Sequence, residues 1–430
     1  ITIDGYDDKQ NVLLEKIVDH MINFTADPKR FHIMKENHIR AIRNFEAEQP
    51  YQHAVYQQAL CLADVVWTRC QLLEAADGQS FPIYFTQRNN DETMITDAVP
   101  KHGSPTLVNL CFVLTDMTAE MLTDFASRLI RKVHIEGFMY GNLSRDRALH
   151  IAECMEKKLP KDGTPLCAQQ LLLHREIEIE KGAWHVRETT NSVHRSSCAS
   201  LYYSCGVRHC RANVTLELLA HTLAEPCFSM LRTKEQLGYI VFSGLRRSNG
   251  VQGFRVIVQS DRHPEYLEER IENFLQGSLE YLQNMSDVEF SKHRAALAAQ
   301  KLEKPKRMSS RASLMWSEIT AQVYNFDRPR VEVEQLNTIT KEELIQFYKR
   351  HIGAESPDRQ KLSVYVVSTA EGGAGHGREY KEGEDNDNPP ACGSEDDKPK
   401  KSPNMIKVSK AAKHHRTLIA DTSIHKILRK

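Results

Sequence analysis

Between Glu225 and Gly244 the chain reads Glu-Pro-Cys-Phe-Ser-Met-Leu-Arg-Thr-Lys-Glu-Gln-Leu-Gly-Tyr-Ile-Val-Phe-Ser-Gly. The first part is helix-compatible, and Pro226 suits a first helical turn, where its missing N–H would be unpaired anyway. Gly238 is expected to stop that helix, because glycine enters the left-handed conformation without penalty. Tyr239, Ile240, Val241 and Phe242 follow with the aromatic and β-branched chemistry of a strand. This order puts Arg232 on a helix and Tyr239 at the start of a strand, with one glycine fixing the angle between them. A guanidinium and a phenol at such a corner can both donate hydrogen bonds to a carbonyl oxygen. Donors aimed at a developing oxyanion are a common electrostatic device in acyl-transfer catalysis. The plainer reading is a surface arginine beside a half-buried strand tyrosine.

Other reactive residue types fall short of a site. His150-Ile151-Ala152-Glu153-Cys154 approaches His-x-x-Glu-His, in which two imidazoles one helical turn apart hold zinc beside a glutamate base. Cysteine stands at its last position, and His-Glu-x-x-His is absent. Cys198, Cys205, His209 and Cys210 cluster near strands, with a spacing that matches no common zinc ribbon or knuckle. No metal ligand is therefore assigned. Gly238 and Gly244 flank a strand without making a phosphate loop. No Ser-His-Asp arrangement can be defended from spacing alone. Cys227, a turn from Arg232 near a helix start, could carry a thiol more acidic than normal; the alternative is a small buried residue.

The chain has 430 residues, room for two to three domains. Hydrophobic residues make up 40% and charged residues 27%, ordinary for a globular protein. A formal net charge of zero gives no argument for nucleic acid or membrane as a partner. No apolar run approaches the ~20 residues that span a bilayer. The opening Ile-Thr-Ile-Asp-Gly-Tyr is neither a secretory signal nor a methionine start, so the chain reads as a fragment. Ten cysteines scattered without paired spacing favour reduced thiols and a cytoplasmic setting.

Helical periodicity covers 8–48, broken at Asp27-Pro28. Val12, Leu13, Ile17, Val18, Met21 and Ile22 form one stripe; Ile39, Ile42 and Phe45 extend a second. The pattern returns from Gln49 to Ala75 with Val55, Leu60, Leu62, Val65, Trp67 and Leu72, and these stripes are expected to face a core. His53, beside the Pro50 turn, is read as structural or exposed. Residues 79–116 lose the period. Met121, Leu122, Phe125, Leu129 and Ile130 mark a helix over 118–133. Residues 134–142 read as a strand, and 143–158 as a further helix. After a linker at Pro160–Pro165, strands are expected at 176–179, 183–186, 200–204, 253–260 and 362–367, with a helix across 214–224. Ser286-x-x-Glu289 and Thr340-x-x-Glu343 have capping-box spacing before amphipathic runs. From 371 to 430 an acidic block followed by a basic one predicts a disordered charged tail. The chain ends Leu428-Arg429-Lys430, without a peroxisomal tripeptide. The fold class is α+β.

The string Leu231-Arg232-Thr233-Lys234-Glu235-Gln236-Leu237-Gly238-Tyr239 resembles the C-terminal half of the insulysin group of pitrilysin-type zinc metallopeptidases. Phe45-Glu46-Ala47-Glu48-Gln49-Pro50, His134-Ile135-Glu136 with Gly141-Asn142, and Gln322 through Arg328 carry the same resemblance, which covers most of 1–78 and 117–370. It implies two αβ domains with antiparallel-rich sheets packed by helices. Residues 1–160 would be a partial third, middle domain with 79–116 inserted, and 166–370 the fourth, substrate-facing domain. It implies that Arg232 and Tyr239 reach a substrate carbonyl in a closed chamber. Phe228 and Gly238 would line the substrate-binding wall. Zinc would belong to the complete enzyme, held by an N-terminal half outside this chain, with no cofactor in the chain itself. The expected partners are small peptide substrates, insulin-like or amyloid-like, the zinc-bearing half and a homodimer mate. A second reading is a non-catalytic peptide-binding or dimerisation module.

Overall fold

Breakers and caps set the helix boundaries. In chain order the first helices are α1 (Gln10–Ile22), α2 (Pro28–Asn44), α3 (Pro50–Leu62) and α4 (Arg69–Asp77). The hairpin strands β1 (Tyr84–Arg88) and β2 (Glu92–Thr96) follow, then α5 (Ala119–Arg131) and α6 (Arg145–Lys158). Strands β3 (Trp184–Asn191) and β4 (Ser197–Val207) lead into α7 (Cys210–Cys227). Next come β5 (Ile240–Ser248), β6 (Val251–Ser260), α8 (Pro264–Asn284) and α9 (Asp287–Leu302). The chain continues through α10 (Met308–Thr320), α11 (Arg328–Asn337), α12 (Lys341–His351), β7 (Lys361–Ser368) and β8 (Arg416–Leu418). This computed structural model describes residues 1–6, 8–77, 84–88, 92–96, 117–160, 163–166, 171, 174–376 and 416–418. Among them no helix is long and apolar enough to cross a membrane. The expectations for 79–116 and for the tail fall mostly outside the described residues. Within those stretches β1 pairs antiparallel with β2, and β8 adds to a sheet that the charged composition did not foretell.

The chain groups into two units, each assembled from three stretches: Ile1–Phe45, Val65–His174 and Lys304–Phe326 in one, Glu46–Asp64, Arg175–Glu303 and Asp327–Lys430 in the other. The second unit holds a six-stranded sheet in the order β5-β6-β4-β7-β3-β8. Each adjacent pair among β5, β6, β4 and β7 is antiparallel, whereas β3 runs parallel to β7 and to β8. Side chains on a strand alternate between faces, so β4 serves two cores. Ala199, Leu201 and Tyr203 join Leu216, Leu219, Leu223, Leu267, Ile271 and Tyr348 from the helices on one face. Cys198 and Tyr202 pack on the other against Ala54, Cys61 and Leu62 of α3. Burial on both faces explains the nearly continuous apolar run of β4. The expected capping boxes form: Ser286 accepts from the Glu289 N–H at 3.2 Å and Thr340 from the Glu343 N–H at 3.2 Å.

Among its described residues the first unit's regular elements are helices and one hairpin, and its pattern differs from the expected one. Residues 134–142 are not a strand. Their approach pairs along the backbone, Thr164 N–H to Arg131 O at 2.9 Å and Leu166 N–H to Val133 O at 3.1 Å, and a turn closes their end, Leu143 N–H to Gly141 O at 3.0 Å. Side chains hold the rest: Phe138 stacks on Tyr140, and Tyr324 Oη donates to Glu136 at 2.7 Å. In the second unit, residues 176–179 likewise make one bridge, Glu176 with Ala63, rather than a strand. The apolar stripes also fail to face a core throughout. Val12, Leu13, Val65, Trp67, Met121, Leu122, Phe125 and Leu129 are exposed. In α5 the reason is visible, because the helix docks by its small residues: Ala119 is buried and Thr123 Oγ1 accepts from the Ala26 N–H at 3.0 Å. The bulky stripe is left outward.

Candidate functional site

The Arg232–Tyr239 corner is built by the end of α7. That helix starts at His209, whose Nδ1 accepts from the Ala212 N–H, and runs unbroken to Cys227. Pro226 therefore lies in its last turn and not in a first turn, because 210–227 is one helix rather than two. The chain then widens into a π-helical segment, Phe228–Lys234. Segments of this kind are short and recur at functional sites. The Glu235 N–H closes it on Met230 O at 2.9 Å, and the Leu237 N–H bonds Leu231 O at 3.1 Å. Leu231 and Leu237 are buried, and the Glu235 carboxylate takes both Nε and Nη2 of Arg270 on α8 at 2.8 and 2.7 Å.

The left-handed residue of this turn is Gln236, with φ 52°, and not Gly238. Gly238 is required for another reason. A Cβ there would lie 1.9 Å from the Gln259 carbonyl oxygen, so only glycine lets the turn press against β6. The tight approach throws Tyr239 outward one residue before β5 begins, and its side chain is 82% exposed rather than half-buried.

The structure brings three of the four sequence-predicted residues together as one cluster. The Arg232 guanidinium stands 4.7 Å from the Phe228 ring centroid and 4.5 Å from that of Tyr239. Two such cation–π contacts, each worth about 0.5–1 kcal/mol at an exposed site, restrain the guanidinium while leaving its N–H edge free to donate. Gly238 is the hinge beneath them. Beside the corner lies a cleft of about 800 Å³ lined by Glu235 through Ile240, Gln259 through Arg262, Gln49, Ser196 and Tyr266. Gln49 and Gln259 are residues that motif reasoning did not assign to the site. Gln259 accepts from the Tyr51 N–H at 3.1 Å and donates to Gln49 Oε1 at 3.0 Å, tying the Gln49-Pro50 turn to the cleft floor. The only sequence signal was that Gln49-Pro50 belonged to a shared motif.

The other candidates behave differently. Cys227 is buried and its thiol is pushed up to about 11 by that burial, so the acidic thiol is ruled out. Cys198 and Cys205 lie in opposite cores of the sheet, and His209 is spent capping α7, so these residues do not converge. Burial likewise raises Cys205 to about 12. His150 and Cys154 do meet, Nε2 to Sγ 3.5 Å, while Glu153 pairs with Lys157. Among the described residues no group of three or more potential ligands could hold a metal ion. His53 is partly buried and shifted down, mainly by that burial.

Comparison with known proteins gives concordant matches. Residues 1–75 match the family described as the middle or third domain of peptidase M16. Residues 218–316, which include the whole corner, match the C-terminal lobe domain 4 of PQQ synthase PqqF-like proteins. Insulin-degrading enzymes of Bos taurus and Homo sapiens are each 39% identical over 370 residues, 86% of this chain and 33% of theirs. That of Drosophila melanogaster is 39% identical over 85% of this chain and 34% of its own. The chain thus spans about a third of the length of the curated relatives it matches. The crystal structure of pitrilysin aligns with a TM-score of 0.71 at 17% identity, covering 99% of this chain and 37% of that one.

Proposed function

The chain belongs to the pitrilysin-type peptidase M16 family as a homologue of insulin-degrading enzyme, and from that premise we propose that it is the substrate-binding C-terminal half of a peptidase acting on small peptides. Residues 166–370 are, in this reading, the substrate-facing fourth domain, and 1–160 part of the third. The observation that carries it is the Arg232 guanidinium held between Phe228 and Tyr239 beside an open cleft. Both polar groups can donate to one peptide carbonyl, positioning it in the ground state and stabilising the oxyanion that develops on attack. Each such donor contributes ~3 kcal/mol in comparable sites. Phe228 offers its exposed face to an apolar side chain of the peptide.

Zinc belongs to the complete enzyme and would activate the attacking water there. His150 and Cys154 provide only two ligands on one helix, which does not fit a catalytic zinc, so no step through the metal is assigned to this chain. The partner is a zinc-bearing N-terminal half.

The test combines this chain with such a half, expressed separately, and a quenched fluorescent peptide. The chain alone should bind labelled peptide without cleaving it, and the mixture should show chelator-sensitive turnover. Tyr239→Phe should then lower kcat roughly a hundredfold with little change in peptide affinity. Undiminished turnover in that variant would overturn the oxyanion role. Peptide binding with no turnover in any mixture would favour the non-catalytic binding module.

A further inference from the structure

On the α3 side of the sheet, three neighbouring polar side chains each leave one buried atom unpaired. Tyr202 on β4 and Arg255 on β6 are directly opposed in the strand register. Gln58 of α3 reaches the same place, its Oε1 accepting from Arg255 Nη1 at 3.5 Å. Gln58 and Tyr202 are 0% and 1% exposed. The Gln58 Nε2, Tyr202 Oη and Arg255 Nε are each buried and have no hydrogen-bond partner among the described residues. The amide NH₂ and the guanidinium N–H can only donate, and the phenol can donate as well as accept. A small anion placed among them would be offered a donor by each. Gly253, next along the same face of β6, makes the arrangement possible, since a Cβ there would come within 2.4 Å of the Tyr202 ring.

The charges point the same way. Arg246 lies 5.3 Å from the Tyr202 ring and takes both oxygens of Glu176, at 2.8 and 2.7 Å. Glu176 is thereby satisfied, and no carboxylate pairs with Arg255 among the described residues. Two guanidiniums therefore stand beside a single carboxylate, which only Arg246 engages. Burial and the neighbouring Arg246 both push the Arg255 pKa below its ordinary value, as expected for an unbalanced cation. A water molecule could accept from these donors, but only an anion both accepts and supplies the missing negative charge.

We propose that Gln58, Tyr202 and Arg255 form a buried site for a small monovalent anion of halide size, gripped by three donors and balancing the charge of Arg255. The site is separate from the Arg232–Tyr239 corner and does not depend on the peptidase reading.

The test titrates the purified full chain with sodium bromide in gluconate buffer at constant ionic strength. The thermal midpoint should rise and saturate, as for a ligand that binds only the folded state. Crystals grown in bromide should show an anomalous peak among the three side chains. Tyr202→Phe removes one donor and Arg255→Gln removes the charge; each should weaken apparent bromide affinity at least tenfold with an unchanged circular dichroism spectrum. Tyr202→Phe alone decides the matter should the arginine variant not fold. A midpoint identical in bromide and gluconate, or a position occupied by water without anomalous signal, would overturn the proposal. So would a bromide response that the variants retain in full.

Discussion

A methyl group added at position 238 would meet the Gln259 carbonyl oxygen, a backbone atom that cannot swing aside. Added at 244, it would meet the Phe242 ring at 2.8 Å, a side chain able to turn away. Gly238→Ala should therefore destabilise by roughly 2–3 kcal/mol and Gly244→Ala by under about 1 kcal/mol, read from denaturation midpoints. Equal losses would mean that the close approach to β6 does not constrain the corner. The outward-pointing Tyr239 should behave oppositely: Tyr239→Phe should leave stability within ~0.5 kcal/mol, so any loss of turnover would be chemical. At this scale the pairing of Arg232 with Tyr239 was legible, because helix, glycine and strand residues follow one another in order. The job of Gly238 was misread. A left-handed glutamine is chosen only when buried Leu231 and Leu237 and the Glu235–Arg270 pair pin the turn, and that pair spans 35 residues.

Among the elements, β7 and α8 are joined through ions. Arg359 donates to both Glu272 oxygens at 2.7 and 2.6 Å, and Lys361 lies 2.5 Å from the same carboxylate. Burial opposes ionisation of Glu272, but Lys361 and Arg359 outweigh it and hold the carboxyl at about 2. Its folded pKa is thus below the unfolded value of about 4.3. The stability it contributes is present above that value and is lost as pH falls toward 2, up to about 3 kcal/mol in all. Denaturant midpoints measured from pH 6 to pH 2 should fall through that window, and Glu272→Gln should flatten the fall while lowering stability at neutral pH. A wild-type curve that is level there would contradict the ion network. Helix ends give a second check: Ser286→Ala and Thr340→Ala should each cost about 1 kcal/mol and add when combined, since they cap different helices. Caps and breakers were the most legible features of the chain, being local. Residues 134–142 had strand chemistry, yet a strand exists only where a neighbour offers a ladder, and sequence pattern does not supply the neighbour.

At the scale of the molecule, the two units differ in how much they bury. The sheet unit has apolar layers on both faces of β4, whereas the helical unit leaves Phe125 and Leu129, among others, more than half exposed. Amide exchange should accordingly be slow in β4 and β7 and much faster in α5, with the helical unit losing protection at lower denaturant. Equal protection in both would show that the exposed stripe carries no penalty. Periodicity announced that stripe correctly as amphipathic; what covers an apolar face is decided by other elements, and period alone cannot name them. The interleaving of the units has a bearing on biosynthesis. β4 ends at Val207, but β7, one of its two flanking partners, begins only at Lys361. A growing chain must emit more than a hundred further residues before that side of β4 is closed. Until then the ribosome holds out a bare, strongly apolar strand edge, and that interval is when the nascent protein is most in need of a chaperone.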